Sequence, residues 1–180
     1  MSYIVLDVPS PIAEQVLSIR QHYNSWRVAL PTEITIIGSS GVGLMRYDEN
    51  ESSDVFKIID DLAKQFKPIV TQFTSVARFP NTDTFYYAQQ NPEPFTQLQN
   101  AIVGTGLKFG PSPFPFTPHC TIADFESPSA ELAQEILSLP VPEGDVVLDT
   151  LSIYVLDDRM MSGNTAGCRL LHRTKLSKTA

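Results

Sequence analysis

Two short runs in this chain carry the same arrangement of reactive side chains. One is His119-Cys120-Thr121-Ile122, which follows Pro118. The other is Glu33-Ile34-Thr35-Ile36, which follows Pro31 and Thr32. On a strand, successive side chains alternate faces. His119 and Thr121 therefore share one face, and Cys120 and Ile122 share the other. Glu33 and Thr35 share a face in the same way. Each run then offers one titratable group and one hydroxyl side by side, with an apolar face behind them. A histidine exchanges its proton near neutral pH, and glutamate is a common acid–base group. Proton transfer is the chemistry that such faces can support. The chain has three histidines in all. His22 falls at the end of the first predicted helix and His172 in the closing strand, so neither stands where Glu33 stands.

The elements that must position these runs can be read from periodicity. "SYIVLDV" predicts a first strand, and Ser10 and Pro11 open a helix. The apolar stripe Ile12, Val16, Ile19, Tyr23 and Trp26 continues that helix. "PTEITIIGSSGVG" predicts a strand running into a glycine-rich turn. "ESSDVFKIIDDLAKQF" predicts a second amphipathic helix. "PIVTQFTSVARFP" and "TFYYAQQ" predict two strands of a hairpin joined by "NTD". A third helix opens at Asn91, turns Phe95, Leu98 and Ile102 inward, and ends at Gly104. The proline-rich loop "GPSPFPFTP" then delivers the chain to His119. A fourth helix, opened by Ser127 and Pro128, places Leu132, Ile136 and Leu139 inward. "DVVLDTLSIYVLDD" reads as one long strand, "MMSGNTAG" as a loop and "CRLLHRTKL" as a closing strand. Hairpins mixed with helical crossovers give an α+β class with mixed or antiparallel sheet.

Composition narrows the function. A chain of 180 residues with 42% hydrophobic residues suits one domain, or two small lobes sharing a core. The net charge of −7 argues against broad binding to long nucleic acid, which needs a basic footprint. A pocket for one nucleotide or a strand end is compatible with it. Two cysteines, Cys120 and Cys168, make no disulfide framework, and a reducing cytoplasm is the simplest location. The opening "MSYIVLDVPSP" lacks a basic segment and is interrupted by Asp7, so it is not read as a signal peptide. No stretch has the length of a membrane span.

The order of elements, the opening "YIVLDVP" and above all "PFTPHCTIADF" resemble the 2H phosphoesterase superfamily. Its members include the 2′-5′ RNA ligase-like proteins and the cyclic nucleotide phosphodiesterases of RNA processing. The resemblance implies two pseudo-symmetric lobes of mixed or antiparallel sheet, helices on the outer faces and a central groove, in a single two-lobed domain over residues 1–180. It implies a metal-independent reaction, without cofactor, at a 2′,3′-cyclic phosphate or a 2′-5′ phosphodiester of a nucleotide or RNA end. In that scheme His119 is an acid–base residue, and Thr121 and Thr35 hold phosphate oxygens. Glu33 stands where the first histidine belongs. That replacement has three possible consequences. Glu33 takes over the proton-transfer role, with a pKa raised by a nearby phosphate. Alternatively, turnover is lost and the groove only binds a nucleotide or phosphorylated ligand. In the third case the groove serves a less anionic substrate. An interaction module with no small-molecule site is a further class.

The residues around the two runs have their own readings. Cys120 alternates away from His119 and is assigned to the core rather than to nucleophilic chemistry. Asp124 shares the parity of Ile122 and is expected to leave the groove face. "GSSGVG" could cradle phosphate through backbone N–H groups, but it lacks the lysine of a P-loop and reads as a flexible loop. Phe114 and Phe116 could stack on a base or anchor their loop. Arg46, Arg78 and Arg159 are candidate phosphate partners, and the sequence does not choose among them. Alternation of faces splits Glu33, His119, Asp124 and Cys120, so they are not expected to form a metal site.

Overall fold

A computed structural model describes residues 2–46, 52–80, 82–156 and 167–177. The chain starts with β1 (Ser2–Asp7), α1 (Ile12–Tyr23), a short 3-10 helix (Ser25–Ala29) and β2 (Glu33–Ile37). It continues with α2 (Ser52–Ala63), β3 (Ile69–Thr71), β4 (Phe73–Arg78) and β5 (Thr84–Gln89). Then come α3 (Glu93–Val103), β6 (His119–Asp124), α4 (Ala130–Leu137), β7 (Val146–Leu148), β8 (Thr150–Leu156) and β9 (Cys168–Lys175). One sheet has the order β2-β1-β8-β9, a second β4-β5-β6, and a small third pairs β3 with β7. All of these described pairings are antiparallel. The class is α+β, and the antiparallel form of the expected sheet is the one that forms.

Two segments that read as single strands each divide between sheets. "PIVTQFTSVARFP" breaks at Gln72, so that β3 joins β7 while β4 joins β5. "DVVLDTLSIYVLDD" breaks at Asp149 into β7 and β8. Both halves stay extended, so alternation along the sequence is blind to the change of partner. The first helix is shorter than its apolar stripe. Asn24 leaves helical geometry at φ −154°, ψ 58°, and its side chain accepts from the Asp124 backbone N–H at 3.1 Å. Trp26 therefore falls in the 3-10 helix and is 43% exposed rather than part of the core stripe. At α4 the cap is Ser129, whose hydroxyl accepts from Leu132 N–H, two residues beyond the expected Ser127. At α1 the cap is Pro11, and the Ser10 hydroxyl donates instead to Glu14. Asn81 of the "NTD" connection, Arg159 and residues 160–166 of the expected loop lie outside the described residues.

The duplicated sequence pattern becomes a duplicated register. On β1, Asp7 faces Glu33, Leu6 faces Ile34, Val5 faces Thr35 and Ile4 faces Ile37, so Ile36 is an extra, bulged residue. On β5, Ala88 faces His119, Tyr87 faces Cys120, Tyr86 faces Thr121 and Phe85 faces Ala123, so Ile122 is the extra residue. Both motif strands thus bulge at the isoleucine directly after the threonine. A bulge sets one additional residue against its partner strand and re-aims the side chains beyond it. The apolar partners Ile34, Ile36, Cys120 and Ile122 are fully buried in one continuous core with Val16, Leu98 and Ile136. Burying each aliphatic side chain of this size stabilises the fold by about 1.5–3 kcal/mol.

β2 and β6 are edge strands of their sheets, and they pack beside one another. Buried polar side chains from helices satisfy the backbone where these edges meet. The Gln99 amide of α3 donates to the Ile36 carbonyl at 2.9 Å, on the bulge of β2. The Arg20 guanidinium of α1 donates to the Thr121 carbonyl at 2.7 Å, beside the bulge of β6. It also donates to the carbonyls of Leu30 and Pro31 at 3.1 and 3.0 Å, just ahead of β2. Arg20 is 1% exposed. A buried carbonyl left without a donor costs about 1–3 kcal/mol, so these two side chains fix the relation of the motif strands.

Candidate functional site

A cavity of about 550 Å³ opens against β6. His119, Thr121 and Asp124 line one wall, and Arg27 of the 3-10 helix lines another. The presence of Asp124 corrects the expectation from parity. The bulge at Ile122 shifts the alternation by one, so Asp124, opposite Thr84, shares the face of Thr121, opposite Tyr86. Asp124 pairs there with Arg27, Oδ2 to Nη2 at 3.2 Å. Arg27 was invisible to sequence reasoning, which placed its segment at the end of a helix. Asn24 was the signal available, as a residue that readily leaves helical geometry.

His119 is held by its own loop. Its Nδ1 lies 2.6 Å from the Thr117 carbonyl oxygen. A carbonyl only accepts, so Nδ1 carries the proton and Nε2 keeps its lone pair. Phe79 and Tyr86 present edge contacts to the ring, with centroids 4.7 and 5.2 Å away. Burial pushes the imidazole pKa below its ordinary value. The Thr117 contact acts against that shift, and the charge of Arg27 adds to it. The ring is therefore neutral at physiological pH and suited to accept a proton.

Glu33 and Thr35 form the second pair. The Thr35 hydroxyl donates to Glu33 Oε2 at 2.9 Å. Glu33 is partly buried on the same sheet face as Asp7. Burial raises its pKa to about 7, against the lowering effects of the Thr35 hydroxyl and of Arg20 and Arg27. The opposing Asp7 is itself raised by burial, with Ser152 and Arg173 acting against the shift. Arg173 meets Asp7 at 3.0 Å, and the Ser152 hydroxyl donates to it at 2.9 Å. Glu33 and Thr35 are not among the residues that line the cavity. Arg27 links the halves electrostatically, because its charge bears on both Glu33 and His119.

The rim comes from loops of both halves. Ser39 and Ser40 of "GSSGVG" line the cavity together with Phe114. The Gly41 N–H donates to the Phe114 carbonyl at 2.9 Å, and the Ser112 hydroxyl donates to that of Ser39 at 2.8 Å. Gly43 has φ 77°, and a Cβ there would lie 2.7 Å from the carbonyl oxygens of Gly110 and Pro111. The glycine-rich segment is thus fastened to the proline-rich loop, and the Gly41 N–H is spent on that contact. Phe114 is 59% exposed at the cavity mouth, whereas Phe116 packs on the core. Arg78 is engaged by Asp83 and the Thr82 carbonyl and does not line the cavity. Cys120 is buried, with its thiol pushed up to about 12. Among the described residues, no group of three His, Cys, Asp or Glu is arranged to hold a metal ion.

Comparison with known proteins places this architecture. The profile of the 2′-5′ RNA ligase superfamily matches residues 8–159. "Putative phosphoesterase GK0864" of Geobacillus kaustophilus is 27% identical over 130 residues, covering 72% of each chain. Among solved structures, TT0787 of Thermus thermophilus superposes with a TM-score of 0.69 at 14% identity over 99% of each chain. LigT of E. coli, complexed with 3′-AMP, gives 0.61 at 17% identity over 98% of each chain. LigT has also been solved with ATP and with NADP+.

Proposed function

The chain belongs to the 2′-5′ RNA ligase superfamily, the 2H phosphoesterases, and on that premise we propose that it cleaves a 2′,3′-cyclic phosphate or 2′-5′ phosphodiester of a nucleotide or RNA end. The observation that carries this reading is His119. Its tautomer is set by Thr117, which leaves the Nε2 lone pair available in a cavity shared with the Thr121 hydroxyl and Arg27. Nε2 accepts a proton from water as the water oxygen attacks phosphorus. The P–O bond to the 2′ or 3′ oxygen breaks, and that oxygen takes a proton from protonated Glu33, a step that requires the ligand to extend past the lining residues to β2. Thr121 donates a hydrogen bond to a phosphate oxygen and holds the phosphorus for in-line attack; Thr35 takes the same role only by exchanging its bond to Glu33 for one to the phosphate. A small nucleotide ligand is in keeping with the 3′-AMP, ATP and NADP+ complexes of LigT. No helix among the described residues is long and apolar enough to cross a membrane.

The test is an assay of chelator-treated protein on 2′,3′-cyclic nucleotides and 2′-5′ dinucleotides. His119→Ala is expected to lower kcat by about 10² to 10⁴, the usual worth of a positioned acid–base group. The pH profile of kcat/KM is expected to rise as His119 loses its proton, at a pH below the ordinary histidine range, and to fall above about 7 as Glu33 ionises. Glu33→Gln should be slower and should lose the alkaline limb. If the wild type shows no turnover, yet nucleotide raises its Tm and Thr121→Val abolishes that rise, the site is a binder that has lost chemistry. Glu33 in place of the family's first histidine favours that second reading. Glu33→His restoring turnover would establish it. Silence in both assays would leave an interaction module.

A further inference from the structure

Arg27 and Asp124 are the charged residues among those lining the cavity, since His119 is neutral. They are bound to each other at 3.2 Å, with side chains 14% and 28% exposed. Each is anchored from behind. The Asp124 backbone N–H is held by the Asn24 side chain. The guanidinium of Arg27 lies 5.1 Å from the centroid of the exposed Trp26 ring. Buried Nε of Arg27 has no acceptor among the described residues. The pair therefore brings a cation into the cavity lined by His119 and Thr121, together with the carboxylate bound to it.

We propose that Arg27 is the anion-binding cation of this cavity and that Asp124, fixed beside it, selects singly charged phosphodiesters over doubly charged phosphomonoesters. This deepens the phosphodiesterase reading and rests on it for the choice of ligand. Charge makes the distinction. The lining sums to zero before a ligand enters, and a phosphodiester, carrying one negative charge, takes a guanidinium hydrogen bond. A monoester carries a charge near −2 at neutral pH, because its second pKa is about 6. Its additional charge falls beside the Asp124 carboxylate, at a partly buried position where the repulsion is screened less than in bulk water. Hydrolysis of a cyclic phosphodiester adds water across one P–O bond and creates that second ionisation. The same carboxylate that tolerates the substrate thus expels the product.

The experiment is calorimetric titration, at pH 7.5, of a hydrolysis-resistant 2′,3′-cyclic phosphorothioate nucleotide and of 2′- and 3′-nucleoside monophosphates. The wild type is expected to bind the cyclic diester more tightly. Arg27→Gln should weaken all three ligands by about tenfold to hundredfold, the worth of a charge-assisted hydrogen bond. Asp124→Asn should tighten the monoesters about tenfold relative to the cyclic diester, a ratio that a merely structural role would not move. Asp124→Asn keeps the shape of the side chain and so stands as the test if Arg27→Gln fails to fold. An unchanged ratio in Asp124→Asn, an unchanged affinity in Arg27→Gln, or a wild type that binds none of the three overturns the proposal. Failure of the phosphodiesterase reading looks different: the diester binds with the stated preference, but no natural 2′,3′-cyclic or 2′-5′ substrate is turned over.

Discussion

Glu33 holds its proton because it lies in a poorly solvated position opposite a second carboxylate, Asp7. That has a consequence for stability as well as for catalysis. A glutamate with a folded pKa near 7 and an ordinary value of 4.5 prefers to fold protonated. Between those two pH values the unfolded chain releases the proton and the folded chain keeps it, so stability falls as pH rises through that window. Above about 7 both states are ionised and the loss is complete. Glu33→Gln removes this cost. Its Tm relative to wild type is expected to climb from pH 4.5 to about 7 and then to level off, with a gain on the order of 3 kcal/mol. Thermal melts at pH 5, 6, 7 and 8 check this; a constant difference across the series would show that Glu33 ionises normally. His119 is the complementary residue, kept neutral by burial and by Arg27. One carboxyl that holds its proton and one imidazole that gives its proton away are the requirements for acid–base work at neutral pH.

At the level of elements, two edge strands carry the candidate residues, and each is aimed by a bulge at the same place in its pattern. The bulges are supported differently. Gln99 supplies a neutral amide to the Ile36 carbonyl, and Arg20 supplies a charge to three carbonyls, one on β6 and two just ahead of β2. Replacing Arg20 with Ala leaves one buried and two partly buried acceptors without their donor and opens a void, at an expected cost of about 3–5 kcal/mol. Gln99→Leu leaves one acceptor without a donor and should cost about 1–3 kcal/mol. Urea melts of both variants check the order. If the two cost the same, Arg20 is not what holds β2 against β6.

For the whole molecule, charge sets the partner. A chain of net charge −7 repels a polyanion over distances longer than the cavity. A mononucleotide feels little of this, and a long RNA with the same 2′,3′-cyclic end feels much. We expect kcat/KM for a short RNA of roughly 20 nucleotides to rise as salt is increased from about 20 to 200 mM, because salt screens the repulsion. The value for the mononucleotide should stay nearly flat. A fall for the RNA, the signature of phosphate contacts along its length, would instead mean that RNA tracks a surface of the protein.

The sequence alone determined the local chemistry. Pro118-His119-Cys120-Thr121 and Pro31-Thr32-Glu33-Ile34-Thr35 define strands whose alternation puts the titratable residue and the hydroxyl on one face and the apolar residues in the core. Most helices can be read from apolar spacing, as at Phe95, Leu98 and Ile102, all fully buried. These are short-range properties, set by backbone geometry within a few residues. Tertiary structure decided what depends on partners distant in the chain. A bulge exists only against a facing strand, so Asp124 could not be placed on the cavity wall from parity. Strand exchange at Gln72 and Asp149 depends on which sheet receives each half. Arg27 reaches the cavity because Asn24 ends α1 and binds the end of β6, and no periodicity within "SWRVAL" encodes that contact.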